Sequence, residues 1–264
     1  MSYRRRLPRD TKIDEAKPRI MRIFEQYPAQ VFYSTQIETT LEKEFFHWIT
    51  NKALVELADE KQIQRMEAIV HGNSVNFYAH IKHRYWKREQ KRLQALLHRM
   101  FDPQFAQAVG RHGEMMFDSA FARNRFIIEA KNAKSWNGRT WSQTNHNLDR
   151  IVTRDSIAYG VEIKNMQSYI DHDELQTKLS MCQHLALTPL FVMRAAPKSY
   201  MFEIDQHKGF GLLFDDQLYP WGHGSLLAEV QGQLGLKVAA PADIPDGHMQ
   251  RLLRWHRRKL PNPS

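Results

Sequence analysis

Two short apolar runs separated by a polar turn constrain this chain more than any other feature. They are Asn147-Leu148-Asp149-Arg150-Ile151-Val152 and Tyr159-Gly160-Val161-Glu162-Ile163-Lys164-Asn165. Each reads as a strand, and their closeness in sequence sets them as a hairpin. The pairing brings Asp149 near Glu162, and the two-residue period of a strand puts Glu162 and Lys164 on the same face. Two carboxylates and an amine therefore converge. Carboxylates held close repel each other, and a divalent cation relieves the repulsion; hard oxygen ligands suit Mg²⁺ (or Mn²⁺). A lysine beside such an ion orients or deprotonates a water, or stabilises charge developing on phosphate oxygens. The chemistry expected is phosphodiester hydrolysis.

Around the hairpin the pattern is α/β. A helix is expected from about 104 to 121, strands over 126–130, 148–153 and 159–164, a helix from about 173 to 187, and strands over 190–194 and 201–205. Strands interleaved with helices imply a mixed sheet flanked by helices. The first 80 residues read differently. Pro18 suits the first turn of a helix that places Ile20, Ile23, Phe24 and Tyr27 on one stripe before Pro28. Thr35 and Glu38 have capping-box spacing for a short second helix, and Phe45, Ile49, Lys52, Ala53, Glu56 and Leu57 give the faces of a third. Strands over 63–70 and 74–79 then flank Gly72-Asn73, a pair suited to a two-residue loop. This order of three helices and a hairpin resembles a winged-helix domain over about residues 15 to 80. The expected organisation is a winged-helix-like domain over 1–81, a basic connecting helix over 82–103, a nuclease-like α/β domain over 104–240 and a basic tail over 241–264, the last a loop, a short helix and a loose end.

Charge points to a polyanionic partner. Lys and Arg number 38 against 29 Asp and Glu, a net +9, and the excess is clustered. The connecting segment holds Lys82, Arg84, Lys87, Arg88, Lys91, Arg92 and Arg99 against Glu89, and 251–259 holds Arg251, Arg254, Arg257, Arg258 and Lys259 without an acid. In the connecting helix Tyr85, Trp86, Leu93, Leu96, Leu97 and Met100 recur at helical intervals for burial, leaving Arg84, Lys87, Arg88 and Lys91 to face phosphates. Neutralising phosphates releases condensed counterions, so the expected role of such a face is to bind nucleic acid without sequence preference, with a solvated helix face or an acidic protein partner as the alternative. The third helix, by contrast, carries Glu42, Lys43, Glu44, Lys52, Glu56, Asp59 and Glu60 in and around it, which favours repulsion from DNA. It also presents Phe45, Phe46 and Trp48 in succession, which makes the N-terminal unit the expected interface of a possible homodimer.

Several classes are not expected. No run approaches the roughly 18 apolar residues of a membrane span, and the N-terminus lacks the apolar core of a signal peptide. Cys182 stands alone, so neither an internal disulfide nor a cysteine zinc cluster is open to the chain, and the cytoplasm is the expected address. The 13 histidines include no His-Glu-x-x-His, and there is no phosphate-binding loop of the Gly-x-x-x-x-Gly-Lys type. Trp136, Trp141 and Trp221 lie in polar or glycine-bearing loops, as buried anchors or as surfaces for bases to stack on.

Asp149, then Glu162-Ile163-Lys164 after a hairpin, with Glu114 on a preceding helix, resembles the PD-(D/E)xK nuclease superfamily of restriction endonucleases and archaeal Holliday-junction resolvases. The resemblance spans about 104 to 205. The Gly113-Glu114-Met115-Met116-Phe117 helix is similar to the family's first core helix, and Thr188-Pro189-Leu190-Phe191-Val192-Met193 to the strand after its second. Leu148 stands where the namesake proline would precede the aspartate, a position that is not a ligand. With its N-terminal module the layout also resembles the Mrr-like restriction enzymes. The resemblance implies Asp149, Glu162 and Lys164 as catalytic residues, and a Mg²⁺ or Mn²⁺ ion held by Asp149, Glu162 and the Ile163 carbonyl with Glu114 directly or through water. Gln176 and Gln183 share a helical face after the hairpin, and Gln183 is the candidate to reach the scissile phosphate. A second Glu-x-Lys, Glu129-Ala130-Lys131, lacks an acidic partner on a preceding strand. A DNA-binding or regulatory protein that keeps the nuclease fold without cutting, and an RNA-directed nuclease, are the alternatives.

Overall fold

A computed structural model describes residues 10–260. The chain divides into two units, one reaching Asp102 and taking in Glu229–Leu236, the other formed by Pro103–Ala228 and the residues from Lys237 on.

The first unit runs α1 (Lys12–Gln26), β1 (Val31–Tyr33), α2 (Ser34–Leu41), α3 (His47–Asp59), β2 (Ile63–Val70), β3 (Asn73–His80) and α4 (Trp86–Met100). The stripe that drives α1 begins at Ile13, about two turns earlier than the sequence suggests. Ile13, Ala16, Ile20 and Phe24 are all buried, so Pro18 lies inside the helix instead of opening it. At α2 the cap also moves: Gln36 Oε1 accepts the Tyr33 N–H at 2.7 Å, upstream of the expected Thr35 and Glu38. The β2–β3 loop is His71-Gly72, both at positive φ, with Val70 paired to Asn73. β1, not anticipated, joins the hairpin as a third strand in the order β1-β3-β2. Phe45 is buried and Phe46 packs on the core, so of the three aromatics Trp48 alone is exposed. The acids around α3 are neutralised locally: Lys17 holds Glu56 and Glu60 at 2.9 and 2.5 Å, and Arg19 Nε donates to Glu44 at 2.9 Å. In α4, Leu93, Leu96, Leu97 and Met100 are buried, while Tyr85, expected beside them, stands in water.

The second unit is a mixed α/β layer: a five-stranded mixed sheet with helices on both faces. Its elements are α5 (Pro103–Arg123), β4 (Ile127–Ala133), a small ribbon of β5 (Ser135–Trp136) and β6 (Arg139–Thr140), β7 (Leu148–Arg154), β8 (Ile157–Lys164), α6 (His172–His184), β9 (Thr188–Met193), α7 (Lys198–Gln206), β10 (Phe210–Leu213), β11 (Gln217–Leu218), α8 (Gly224–Glu229), β12 (Val238–Ala239) and α9 (Asp246–Arg257). The sheet order is β10-β9-β8-β7-β4, antiparallel from β4 to β8 and parallel from β8 to β10. On one face Met116, Phe117 and Phe121 of α5 and Met249, Leu252 and Leu253 of α9 bury Val152, Val161, Leu190 and Leu212. On the other, Met181 and Cys182 of α6 cover Ile151, while Leu175 and Leu179 of α6 and Ile204 of α7 cover Phe191 and Met193.

Two expectations are corrected here. Residues 201–205 are not a strand but the centre of α7. Met201 and Ile204 turn toward the sheet at helical spacing, and the edge strand is the next segment, β10, where Gly211 leaves room for the Met201 side chain. The short basic helix expected in the C-terminal segment is α9, and the loose end expected after it lies outside the described residues. α9 buries Met249, Leu252, Leu253 and His256, stacks Trp255 on Phe210 with centroids 5.0 Å apart, and leaves Arg251, Arg254, Arg257 and Arg258 exposed. Residues 229–236, expected in the α/β domain, fall in the first unit, where Gln36 Nε2 donates to the Leu234 carbonyl at 2.9 Å. No described helix is long and apolar enough to cross a membrane.

Candidate active site

The β7–β8 ladder ends at Arg150 opposite Val161. Just beyond it the Ile163 N–H is taken by a side chain: Asp149 Oδ2 accepts it at 2.7 Å. The carboxylate thus substitutes for a backbone acceptor where the strands part. Glu162 lies at this same end and turns toward α6, almost wholly buried. Two lysines reach it. Lys164 Nζ is 2.9 Å from Oε1, as the shared strand face requires, and Lys178 Nζ, from α6, is 2.5 Å from Oε2. Lys178 also donates to the Asn147 carbonyl at 2.5 Å, tying the helix to the start of β7. Lys164 is shared with Glu174 on α6 at 2.8 Å.

Burial pushes the Glu162 carboxyl up to about 7, and the charge of Asp149 adds to the push against the pull of both lysines. For Lys164, burial works to lower the ammonium, but the charge of Glu162 and the bonds to Glu174 and Glu162 outweigh it and hold the group above its usual range. Asp149 and Glu162 are hard oxygen donors of the kind a divalent cation takes. The fit is to two carboxylates and, between Glu162 and Lys164, the Ile163 carbonyl. Among the described residues no group of three or more His, Cys, Asp or Glu side chains is placed to hold a metal.

Glu114 is the reason the carboxylate set stops at two. It belongs to α5, and its Oε2 accepts from Arg150 Nη2 at 2.9 Å. Arg150 follows Asp149 and points the opposite way, as neighbours on a strand do; it is buried and also bonds Asp118 on α5 at 2.7 Å. The same guanidinium donates to the Asp149 carbonyl at 2.7 Å, so the α5 acids reach Asp149 through Arg150 and its backbone. Gln183 is likewise apart. It lines a groove with Leu187, Pro189 and residues 206–208, and none of Asp149, Glu162 or Lys164 borders it. Gln176 is bonded to Glu203. The residues of α6 that do reach the site are Lys178 and Glu174, which the helical pattern does not single out: each is one charge among several on an amphipathic helix, and only the packing of α6 on β8 selects them.

Two glycines make the approach possible. A Cβ on Gly160 would stand 2.6 Å from Cys182 Sγ, so the glycine lets α6 close on β8. A Cβ on Gly113 would stand 2.7 Å from the Asn165 Cβ, so α5 meets the end of β8 where buried Asn165 donates to the Val109 and Leu218 carbonyls. The second Glu-x-Lys is dispersed. Glu129 sits at a bulge and accepts from Thr153 at 2.6 Å, and Lys131 bonds Asp118 at 2.7 Å on the α5 side. Of the loop tryptophans, Trp141 is buried and donates to Thr144, and Trp221 is exposed with its indole N–H on the Pro241 carbonyl. Arg84, Lys87, Arg88 and Lys91 are all exposed on the first unit. No protein-family model, curated protein or solved structure matches this chain.

Proposed function

We propose that the chain is a metal-dependent DNA endonuclease of the PD-(D/E)xK kind with a winged-helix-like N-terminal unit. The observation that carries the reading is the meeting of Asp149, Glu162 and Lys164 at the point where β7 and β8 part, because it combines a repelling carboxylate pair with an ammonium at a strand end. Leaving aside the β5–β6 ribbon, the order of α5, three strands of the sheet, α6 and β9, with the antiparallel-then-parallel sheet, supports the nuclease fold. The order helix, strand, two helices and hairpin, with the sheet order β1-β3-β2, supports the winged helix.

Asp149, Glu162 and the Ile163 carbonyl would hold Mg²⁺ or Mn²⁺. When bound, such an ion acidifies water and offsets charge on the phosphate. Lys164 supplies positive charge to the phosphate oxygens as the bond breaks; Glu174 keeps its ammonium at the site when Glu162 is otherwise engaged. Lys178 is too buried to touch substrate and fixes the Glu162 carboxylate from behind. Arg84, Lys87, Arg88 and Lys91 hold the DNA backbone, a task for which the locally neutralised α3 is ill suited. One site per chain cuts one strand, so a double-strand break takes two copies, which ties a homodimer to the product made.

A second reading has one observation in its favour. Lys164 and Lys178 together already balance Glu162, which suits a nuclease fold that binds DNA without cutting. Calorimetry with Mn²⁺, paired with incubation of supercoiled, linear, branched and single-stranded DNA and of RNA in Mg²⁺ or EDTA, separates the two. The endonuclease reading expects Mn²⁺ uptake that Asp149→Ala and Glu162→Ala both abolish, and Mg²⁺-dependent cutting of DNA. Uptake unchanged in both variants means the site is wrong. Binding of DNA with every substrate intact gives the ground to the second reading.

A further inference from the structure

We propose that the start of α4 is a stacking platform for unpaired nucleotides, with Tyr85 taking a base face while Arg84, Lys87, Arg88 and Lys91 follow the phosphates of the same strand. This deepens the nuclease reading, since it rests on α4 as its nucleic-acid surface, and it assigns a substrate class: DNA carrying a single-stranded segment.

Tyr85 is 81% exposed, more than any other large apolar or aromatic side chain among the described residues, and it immediately precedes the helix. A single tyrosine in water is ordinary; its neighbours are what give this one a use. Arg84 precedes it, Lys87 and Arg88 follow within one turn, and Lys91 lies a turn beyond, all exposed and without an ion pair to any described residue. Glu89, the acid of this stretch, is engaged by His83 at 3.2 Å and Arg92 at 3.8 Å. The adjacent Trp86 ring is half-buried, with Lys87 Nζ 5.5 Å from its centroid, so the free aromatic face belongs to Tyr85. Opposite, Leu93, Leu96, Leu97 and Met100 fix the helix to its unit, which makes the cations and the ring one rigid surface. From Tyr85 to Lys91 the helix rises about 9 Å.

A ring amid cations recognises nucleic acid in one particular way. Every base has a π-face that an aromatic side chain can stack on, and cations alongside hold the backbone. Within a duplex those faces are already stacked on their neighbours. Tyr85 therefore discriminates for single strands, gaps and frayed or branched ends, while the cations bind paired and unpaired strands alike.

The test is fluorescence anisotropy of the full-length chain with labelled oligothymidine of about 20 nucleotides and with a duplex of equal length, over a range of salt. Tyr85→Ala is expected to weaken single-strand binding about tenfold, to leave duplex binding within about twofold, and to leave the salt slope unchanged because every phosphate keeps its cation. Tyr85→Phe is expected to match the wild type on both, because stacking uses the ring and not the hydroxyl. Replacing Arg84, Lys87, Arg88 and Lys91 together by Gln is expected to lower the single-strand slope by about 0.7 for each phosphate no longer neutralised. If Tyr85→Ala leaves single-strand affinity intact, or weakens both ligands equally, while the quadruple variant still flattens the slope, α4 binds nucleic acid without the platform and the proposal fails alone. A wild-type chain that binds neither oligonucleotide, or a quadruple variant with an unchanged slope, overturns α4 as the surface and the proposal with it.

Discussion

Replacing Lys178 by methionine removes a buried cation and leaves the shape of the α6–β8 contact nearly intact. The Lys178 side chain is 4% exposed and that of Glu162 2%, with 2.5 Å between Nζ and Oε2. Breaking a buried pair by deleting one partner costs about 3–5 kcal/mol. Glu162 keeps Lys164 at 2.9 Å, so the lower end of that range, about 3 kcal/mol, is expected at pH 8. The cost depends on pH. Glu162 titrates at about 7 in the folded chain against an ordinary 4.5, so the folded state holds this proton more tightly. The group's contribution to stability is full below pH 4.5 and is lost as pH rises to about 7. At pH 5 Glu162 is protonated with or without Lys178, and the substitution then costs little beyond the bond to the Asn147 carbonyl, about 1 kcal/mol. Above pH 7 the variant, its Glu162 pushed higher still, falls behind the wild type by about 1.4 kcal/mol per pH unit until its own carboxyl ionises. Urea unfolding at pH 5 and pH 8, followed by tryptophan fluorescence, reads the difference, since Trp136, Trp141, Trp221 and Trp255 belong to the second unit. A loss equal at the two pH values would show that Glu162 is not the group that Lys178 serves.

Lys164→Ala is expected to slow cleavage on the order of 10²-fold or more while DNA affinity barely changes. Lys131→Ala, whose ammonium is spent on Asp118, is expected to cut like the wild type, and equal losses of binding and cutting for Lys164→Ala would make Lys164 a docking residue. Tyr159→Phe strips a buried partner from His256, whose Nδ1 lies 2.6 Å from the Tyr159 hydroxyl while its Nε2 lies 2.8 Å from Asp155. The second unit is expected to lose about 1–3 kcal/mol in thermal or urea unfolding, and no loss would mean that α9 is held by its apolar face alone.

What the sequence determined by itself is what short-range geometry controls. Alternation along 148–154 and 157–164 and the polar turn between them are local facts, and they suffice to bring Asp149, Glu162 and Lys164 to one end of a hairpin. The helices at 47–59, 86–100 and 103–123 follow from their apolar stripes in the same way. The tertiary structure decided everything that depends on which distant surface covers a residue. Glu114 and Arg150 find each other across 36 positions, which draws Glu114 to the α5 side. Lys178 rather than Gln183 meets the site because α6 packs on β8 over Gly160, and a helical wheel does not reveal which turn faces the carboxylate. Residues 201–205 become a helix because the sheet offers them an apolar face to bury, and the same sheet decides which face of the expected C-terminal helix is covered. Tyr85 shows the converse: its spacing predicts burial, yet it precedes the first turn of α4 and stands exposed. Periodicity records how a segment divides its own faces between oil and water, while the choice of partner for each face is a property of the assembled chain.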